Sequence, residues 1–146
     1  INYAASRKVM VSFDNISKIK ATSGSDVYST NTIKTDAIEL STTSGSDMEL
    51  EIEVTSVTCV ASSGSDLKLS GTADYLVAEA SSGSDIKAGN LITKTSDVRA
   101  SSGADITVNA TKELVAKSDS GGDVKYYGKP EKVEKNDSTS GSITSL

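Results

Sequence analysis

Apolar and polar residues alternate along this chain in short runs, and the runs return at a fixed distance. Counting from Gly24, Gly45, Gly64, Gly83, Gly103 and Gly121, the third residue onward is Val27, Met48, Leu67, Ile86, Ile106 or Val124, apolar in every case. The fifth is Ser29, Leu50, Leu69, Ala88, Val108 or Tyr126. Five residues before each glycine stand Ile19, Leu40, Cys59, Ala78, Val98 and Ala116. Three before stand the small residues Ala21, Thr42, Ala61, Ala80, Ala100 and Ser118. Between those two columns runs a mostly polar one: Lys20, Ser41, Val60, Glu79, Arg99 and Lys117. Successive side chains of a strand leave to opposite faces, so a period of two on both sides of each glycine predicts half-buried strands flanking a turn. The wealth of Ser, Thr and β-branched residues, with no sustained period of about 3.6, argues against helix.

The turn itself repeats. Ser23-Gly24-Ser25-Asp26 returns as Ser44-Gly45-Ser46-Asp47, Ser63-Gly64-Ser65-Asp66, Ser82-Gly83-Ser84-Asp85, Ser102-Gly103-Ala104-Asp105 and Ser120-Gly121-Gly122-Asp123, with a degenerate copy at Ser140-Gly141-Ser142-Ile143. The glycine spacings are 21, 19, 19, 20, 18 and 20. Glycine supplies a backbone conformation that other residues resist, and Asp or Ser can bond back to local backbone, so each copy reads as a corner. The expected fold is all-β: a right-handed single-stranded β-helix (β-solenoid) of about six to seven coils of roughly 20 residues. A hairpin meander would alternate its turns between opposite ends and halve the period. Length varies between corners, as at Thr30–Asp36 and Ala88–Thr95, which predicts a looser third side.

One domain spanning 1–146 accounts for the chain, with 129–146 as a C-terminal cap. Gly128-Lys129-Pro130 breaks the pattern, Glu131 to Asp137 is charged, and Ser140 to Leu146 is expected to lie across the last coil. At the other end Val9, Val11 and Phe13 alternate as a strand with no evident cap. That leaves a strand edge through which a partner or a second copy could join.

Composition narrows the functional classes. The apolar share is 36% and aromatics are 4%, which suits a narrow interior of Ala, Val, Leu and Ile. A net charge of -5 argues against nucleic acid as partner. No apolar run approaches the roughly 20 residues of a membrane-spanning helix. The absence of His removes the commonest general base and transition-metal ligand, and a lone Cys allows no internal disulfide. Cys59, in an inward column with Leu40 and Ala78, reads as a small core residue.

The most conspicuous candidate site is the row Asp26, Asp47, Asp66, Asp85, Asp105 and Asp123. Stacked carboxylates about 5 Å apart repel by ~1 kcal/mol in water, which bound cations such as calcium could relieve. The competing reading is that each Asp caps its own corner by accepting backbone N–H bonds. That reading is favoured because the repeat is not the calcium-binding nonapeptide. Two residues after each Asp, Lys68, Lys87 and Lys125 can also neutralise the row. Tyr28, Tyr75 and Tyr127 are candidate stacking platforms for a sugar but share no column, and Tyr126 faces inward. Ser25, Ser46, Ser65 and Ser84 form no flat Thr array of the ice-binding kind. Solenoid lyases and hydrolases need paired carboxylates in a groove, whereas uniform repetition is structural. No catalytic, cofactor-binding or metal-ligating residue is assigned.

A resemblance adds to this. Leu69-Ser70-Gly71-Thr72-Ala73-Asp74-Tyr75-Leu76, Ala80 to Asp85, Ala88-Gly89-Asn90-Leu91, Ala100 to Asp105, Val108-Asn109-Ala110, Leu114-Val115-Ala116 and Ser120 to Pro130 form a specific set. Tyr127-Gly128-Lys129-Pro130 and Ser140-Gly141-Ser142-Ile143 complete it. From about Ile16 onward the chain resembles the auto-transporter adhesin, head GIN domain family. The resemblance implies a β-helix and a secreted or cell-envelope setting, periplasmic or outer-surface, in a Bacteroidetes-type bacterium. It carries no catalytic motif. The family's usual N-terminal segment is short here, so the chain is expected to be the C-terminal part of a longer domain. The leading expectation is a non-enzymatic surface adhesin or scaffold that meets a cell-surface glycan or protein. The alternatives are a cation- or glycan-binding module using the Asp row, and a carbohydrate-active enzyme.

Overall fold

The computed structural model describes residues 10–12, 15–137 and 140–146. It contains ten strands: β1 (Lys18–Ala21), β2 (Asp26–Tyr28), β3 (Ile33–Thr42), β4 (Asp47–Ala61), β5 (Asp66–Ala80), β6 (Asp85–Ala100), β7 (Asp105–Ser118), β8 (Asp123–Tyr127), β9 (Lys132–Asp137) and β10 (Ser142–Ser145). Every pairing is parallel, and the strands follow one another as β1-β3-β4-β5-β6-β7-β8-β10, with β2 on β4 and β9 on β7. A parallel ladder between consecutive strands, with no helix between them, is a stack of coils: a β-solenoid.

Register puts like residues over like. Leu40, Cys59, Ala78, Val98 and Ala116 align, as do Met48, Leu67, Ile86, Ile106 and Val124. These columns are buried and join one hydrophobic cluster. Full burial of each Leu, Ile or Val contributes ~1.5–3 kcal/mol, and a one-residue slip would expose a whole column, so register is strongly specified. Outside, the cross-coil pairs Lys34–Glu53 (3.3 Å), Lys68–Glu49 (3.7 Å) and Lys132–Glu113 (3.4 Å) follow the same register. Exposed pairs of this kind add at most ~1 kcal/mol each.

The corner is tighter than glycine alone would make it. Both Ser and Gly take positive φ, 49–58° at Ser23, Ser44, Ser63, Ser82, Ser102 and Ser120, and 70–81° at the following glycines. Two consecutive left-handed residues are the mark of a type I′ turn. A non-glycine residue in that region costs roughly 1 kcal/mol or more. The corners hold each other: Gly24 N–H donates to Ser44 O and Gly64 N–H to Ser82 O, each at 3.1 Å, so the turn apices extend the ladder.

The third residue of the motif is what fastens the corner. Ser46, Ser65 and Ser84 are fully buried. Ser65 Oγ accepts the Ser62 N–H at 3.2 Å and lies 2.7 Å from Ser62 O, 2.8 Å from Thr42 O and 3.1 Å from Thr42 Oγ1. Ser46 and Ser84 repeat this, reaching Ala21 O and Ala61 O, both at 2.8 Å. One hydroxyl thus ties its own turn to the preceding coil. These serines point inward: after two left-handed residues the strand alternation resumes with the third residue of the motif inside and the Asp outside.

The segment expected as a looser third side is paired strand over most of its length. Inward positions run 48, 50, 52, 54 and then 57, 59, 61 in β4, and 67, 69, 73 and then 76, 78, 80 in β5. The shift of phase marks a second corner, where Thr55 and Asp74 drop out of the ladder. Gly71 lies before it at φ +112°, where an added Cβ would collide with Ile52 O. Only backbone as close as this forces glycine, and the sequence repeat does not announce it. Length variation does fall where expected, as register shifts at Lys68/Ser70, Ala88/Ile92 and Thr93/Thr95.

Of the strand expected at Val9–Phe13, Val9 and Phe13 lie outside the described residues, and Val11 is exposed and outside any strand. Beyond Pro130 the stack resumes. β9 pairs with Glu113–Ser118 of β7 and β10 with Asp123–Tyr126 of β8, so this segment adds to the edge of the last coil where it was expected to lie across it. Lys135 Nζ sits 5.2 Å from the Tyr126 ring, a cation–π contact at that end of the core.

Candidate functional site: an outer trough where the repeat breaks

The Asp row exists as a ladder: Asp26, Asp47, Asp66, Asp85, Asp105 and Asp123 align coil by coil, and Ser142 follows. It is not the corner cap. Among the described residues no corner Asp side chain accepts a backbone N–H; the buried serines do that work, and Asp123 Oδ1 accepts only from Ser142 Oγ at 2.6 Å. The carboxyls stand on the outer face. Partial burial, then the neighbouring Asp66 and Asp105, push the Asp85 carboxyl above its ordinary 3.8, while Lys87 pulls it back. Lys68 is turned instead to Glu49. Among the described residues no three His, Cys, Asp or Glu side chains gather into a metal-holding group.

Next to this row, one outward position further along each coil, stand Tyr28, Glu49, Lys68, Lys87, Thr107 and Lys125, also in register. Here the columns stop being uniform. In β6 an extra residue enters between Lys87 and Asn90 relative to β5, and Ala88–Ile92 opposes only Val108–Asn109 of β7. The bulge is pinned by side chains that replace ladder bonds. Thr93 Oγ1 donates to Asn109 O at 2.7 Å, and Thr111 Oγ1 to Thr93 O at 2.9 Å. Tyr127, two coils on, reaches back over the bulge: a Cβ at Gly89 would stand 3.1 Å from the Tyr127 ring.

The result is an open recess of about 500 Å³ lined by Lys68, Lys87, Gly89, Asn90, Thr107, Asn109 and Tyr127. Its volume falls within the ~300–1,000 Å³ of small-molecule sites. A second recess of about 320 Å³, lined by Tyr28, Ser29, Glu49, Leu50, Glu51, Lys68 and Ser70, meets it at Lys68. Together they make a trough along the stack with a tyrosine at each end. The two tyrosines are 63% and 45% exposed, open enough to stack on a ligand. Charge changes along it: Glu49 and Glu51 line the smaller recess, Lys87 the larger, and Lys68 both.

Tyr28 and Tyr127 do occupy different columns, as the sequence indicates, but the columns are adjacent on one face, which column-by-column reading hides. Tyr75 lies elsewhere, paired between Ser56 and Thr95. The signal that could have located the recess is Ala88-Gly89-Asn90-Leu91, visible as a length irregularity. Tyr126 is buried as its register requires, and Cys59 is fully buried, its thiol pushed up to about 12 by desolvation.

A parallel stack with regular inner columns and, among the described residues, an irregular outer trough defines a β-solenoid domain. The comparisons with known proteins agree. The chain belongs to the family described as putative auto-transporter adhesin, head GIN domain, whose profile matches residues 2–130. The match begins well before Ile16, where the resemblance in the repeats starts. No curated protein matches. Among solved structures, a putative adhesin from Bacteroides fragilis superposes with TM-score 0.79 at 24% identity, covering 83% of this chain and 56% of that one. A putative lipid binding protein from Parabacteroides distasonis gives TM-score 0.82 at 23% identity, covering 90% of this chain and 54% of that one. These likenesses show the fold, and the chain spans about half the length of either structure. No helix among the described residues is long and apolar enough to cross a membrane.

Proposed function

We propose that this chain is a non-enzymatic adhesion domain of the cell envelope or surface of a Bacteroidetes-type bacterium, and that it holds glycan along the outer trough. The carrying observation is the make-up of the larger recess: an exposed tyrosine ring beside two amides, a hydroxyl and two ammonium groups. An aromatic face covers the apolar side of a sugar ring, and the surrounding donors and acceptors meet its hydroxyls. The adhesin family and the adhesin description of the Bacteroides fragilis structure support the setting. A binding role also suits the rigidity of the stack, which presents the lining groups from paired strands with little conformational entropy left to lose.

A glycan array probed with the chain tests this, with Tyr127→Ala as the paired variant. Retention of defined glycans by the wild type, reduced in the variant, and recovery of the bound glycan uncleaved are the expected results. A chain that retains no glycan, or that retains one equally well without the Tyr127 ring, refutes the reading. Cleavage of a retained glycan would move the domain to the carbohydrate-active class.

A further inference from the structure

Resting on the glycan reading, we infer that the larger recess selects an acidic saccharide, one carrying a carboxylate on the ring that lies over Tyr127. The chain as a whole bears a net charge of -5, yet this recess is lined by Lys68 and Lys87 and by no carboxylate. The two lysines sit in register on neighbouring coils, where parallel stacking holds their backbones ~4.8 Å apart. Their ammonium groups carry like charge on flexible stems rooted side by side, and an anion placed between them attracts both. Lys68 already leans on Glu49 at 3.7 Å, an exposed pair that exchanges readily. Asp66 and Asp85 stand two residues before Lys68 and Lys87, in the neighbouring outward column, and do not line the recess. An anion inside it meets the lysines, with Asn90, Asn109 and Thr107 left to face the ligand's uncharged edge.

The repeat sharpens the argument. Elsewhere on this face the residue at the lysine position is Tyr28, Glu49, Thr107 or Lys125, so two lysines on consecutive coils are not required for stacking. Nor is the bulge: β4 and β5 pair through the same stretch without one. Two departures from the repeat coincide at one place, and both shape the same surface. The backbones of Lys68 and Tyr127 are three inter-coil steps of ~4.8 Å apart, about 14 Å, and the Tyr127 ring leans back across that span to Gly89, beside Lys87.

The test is calorimetric titration of the chain with tetragalacturonic acid and with its fully methyl-esterified form, which keeps the rings and hydroxyls and removes the charge. The expected result is binding of the acid, at least about tenfold weaker binding of the ester, and loss of that difference in Lys87→Gln. Binding of the acid should also weaken as salt is raised. Lys117→Gln, an exposed lysine on the other flank, is the charge control, and thermal melts confirm that each variant is folded. Equal binding of acid and ester overturns the acidic preference and leaves the glycan reading standing. So does failure of both ligands while neutral glycans bind on the array. Failure of every glycan sinks both. Binding of the acid undiminished in Lys87→Gln but reduced in Lys117→Gln places the anion on the wrong flank and overturns the site.

Discussion

Replacing Ser65 by Ala separates the two accounts of the corner. Ser65 Oγ has one proton to donate and is within reach of Ser62 O and Thr42 O, so it makes one such bond at a time. It also accepts the Ser62 N–H, but that N–H keeps its 3.0 Å bond to Thr42 O when the hydroxyl goes. The donated bond is worth about 1 kcal/mol. Thr42 Oγ1, fully buried and 3.1 Å away, then loses its partner, which costs a further ~1–2 kcal/mol. Ser65→Ala is therefore expected to lower unfolding stability by about 2–3 kcal/mol. At Ser84 the residue in Thr42's place is Ala61, so Ser84→Ala should cost only about 1 kcal/mol. Asp66→Asn leaves all of these bonds and removes a like-charge neighbour, so its effect should lie within about 0.5 kcal/mol of zero. Urea denaturation followed by circular dichroism reads all three. If Asp66→Asn costs more than Ser65→Ala, the carboxylate and not the hydroxyl secures the turn. If the two serine variants cost the same, the Thr42 contribution is wrong.

Other consequences follow from the same geometry. Because the folded Asp85 carboxyl titrates above its ordinary 3.8, the folded state binds a proton more readily than the unfolded one. Its contribution thus becomes less favourable as pH rises through that interval and is recovered on acidification. Asp85→Asn should raise the neutral-pH melting temperature slightly, by the equivalent of a few tenths of a kcal/mol after solvent screening, and flatten the acid side of the stability profile; a lower melting temperature would contradict this. Cys59 should resist iodoacetamide in the folded chain up to high pH and react once urea unfolds it, since burial holds its thiol protonated to about 12; native-state labelling would show the core to be open. Gly71→Ala meets Ile52 O as well as an unfavourable φ and should cost about 3 kcal/mol or more, whereas at Gly64 a Cβ meets nothing and the cost is about 1 kcal/mol. Equal losses would show that φ alone decides.

The coils were legible because stacking repeats a chemical requirement: each inward column must be apolar, and each tight bend must have a small residue before it. Leu40, Cys59, Ala78 and Val98 are chemically diverse, yet all are buried, and position relative to the glycine predicts it. The second corner was not legible. It is made by a change of alternation phase around Thr55 and Asp74, residues with no turn preference in common. The role of the Asp was misread for a related reason. Asp and Ser are both known to close turns, and choosing between them requires knowing which side chain the turn directs inward. In this backbone, two left-handed residues in succession send Ser65 to the core and Asp66 to the surface.

Repetition also separates architecture from recognition more sharply here than in an irregular fold. The corner Asp occurs once per coil, so any ligand bound by the row meets nearly equivalent sites along the stack and should bind with a stoichiometry that grows with coil number. Among the described residues the recess at Gly89 and Asn90 forms where the bulge in β6 meets the Tyr127 ring, a coincidence that the other coils do not repeat. A ligand held there must saturate at one per chain. Stoichiometry therefore decides between the two surfaces before any residue is changed: one saccharide per chain fits the trough, and several cations per chain would return the Asp row to candidacy.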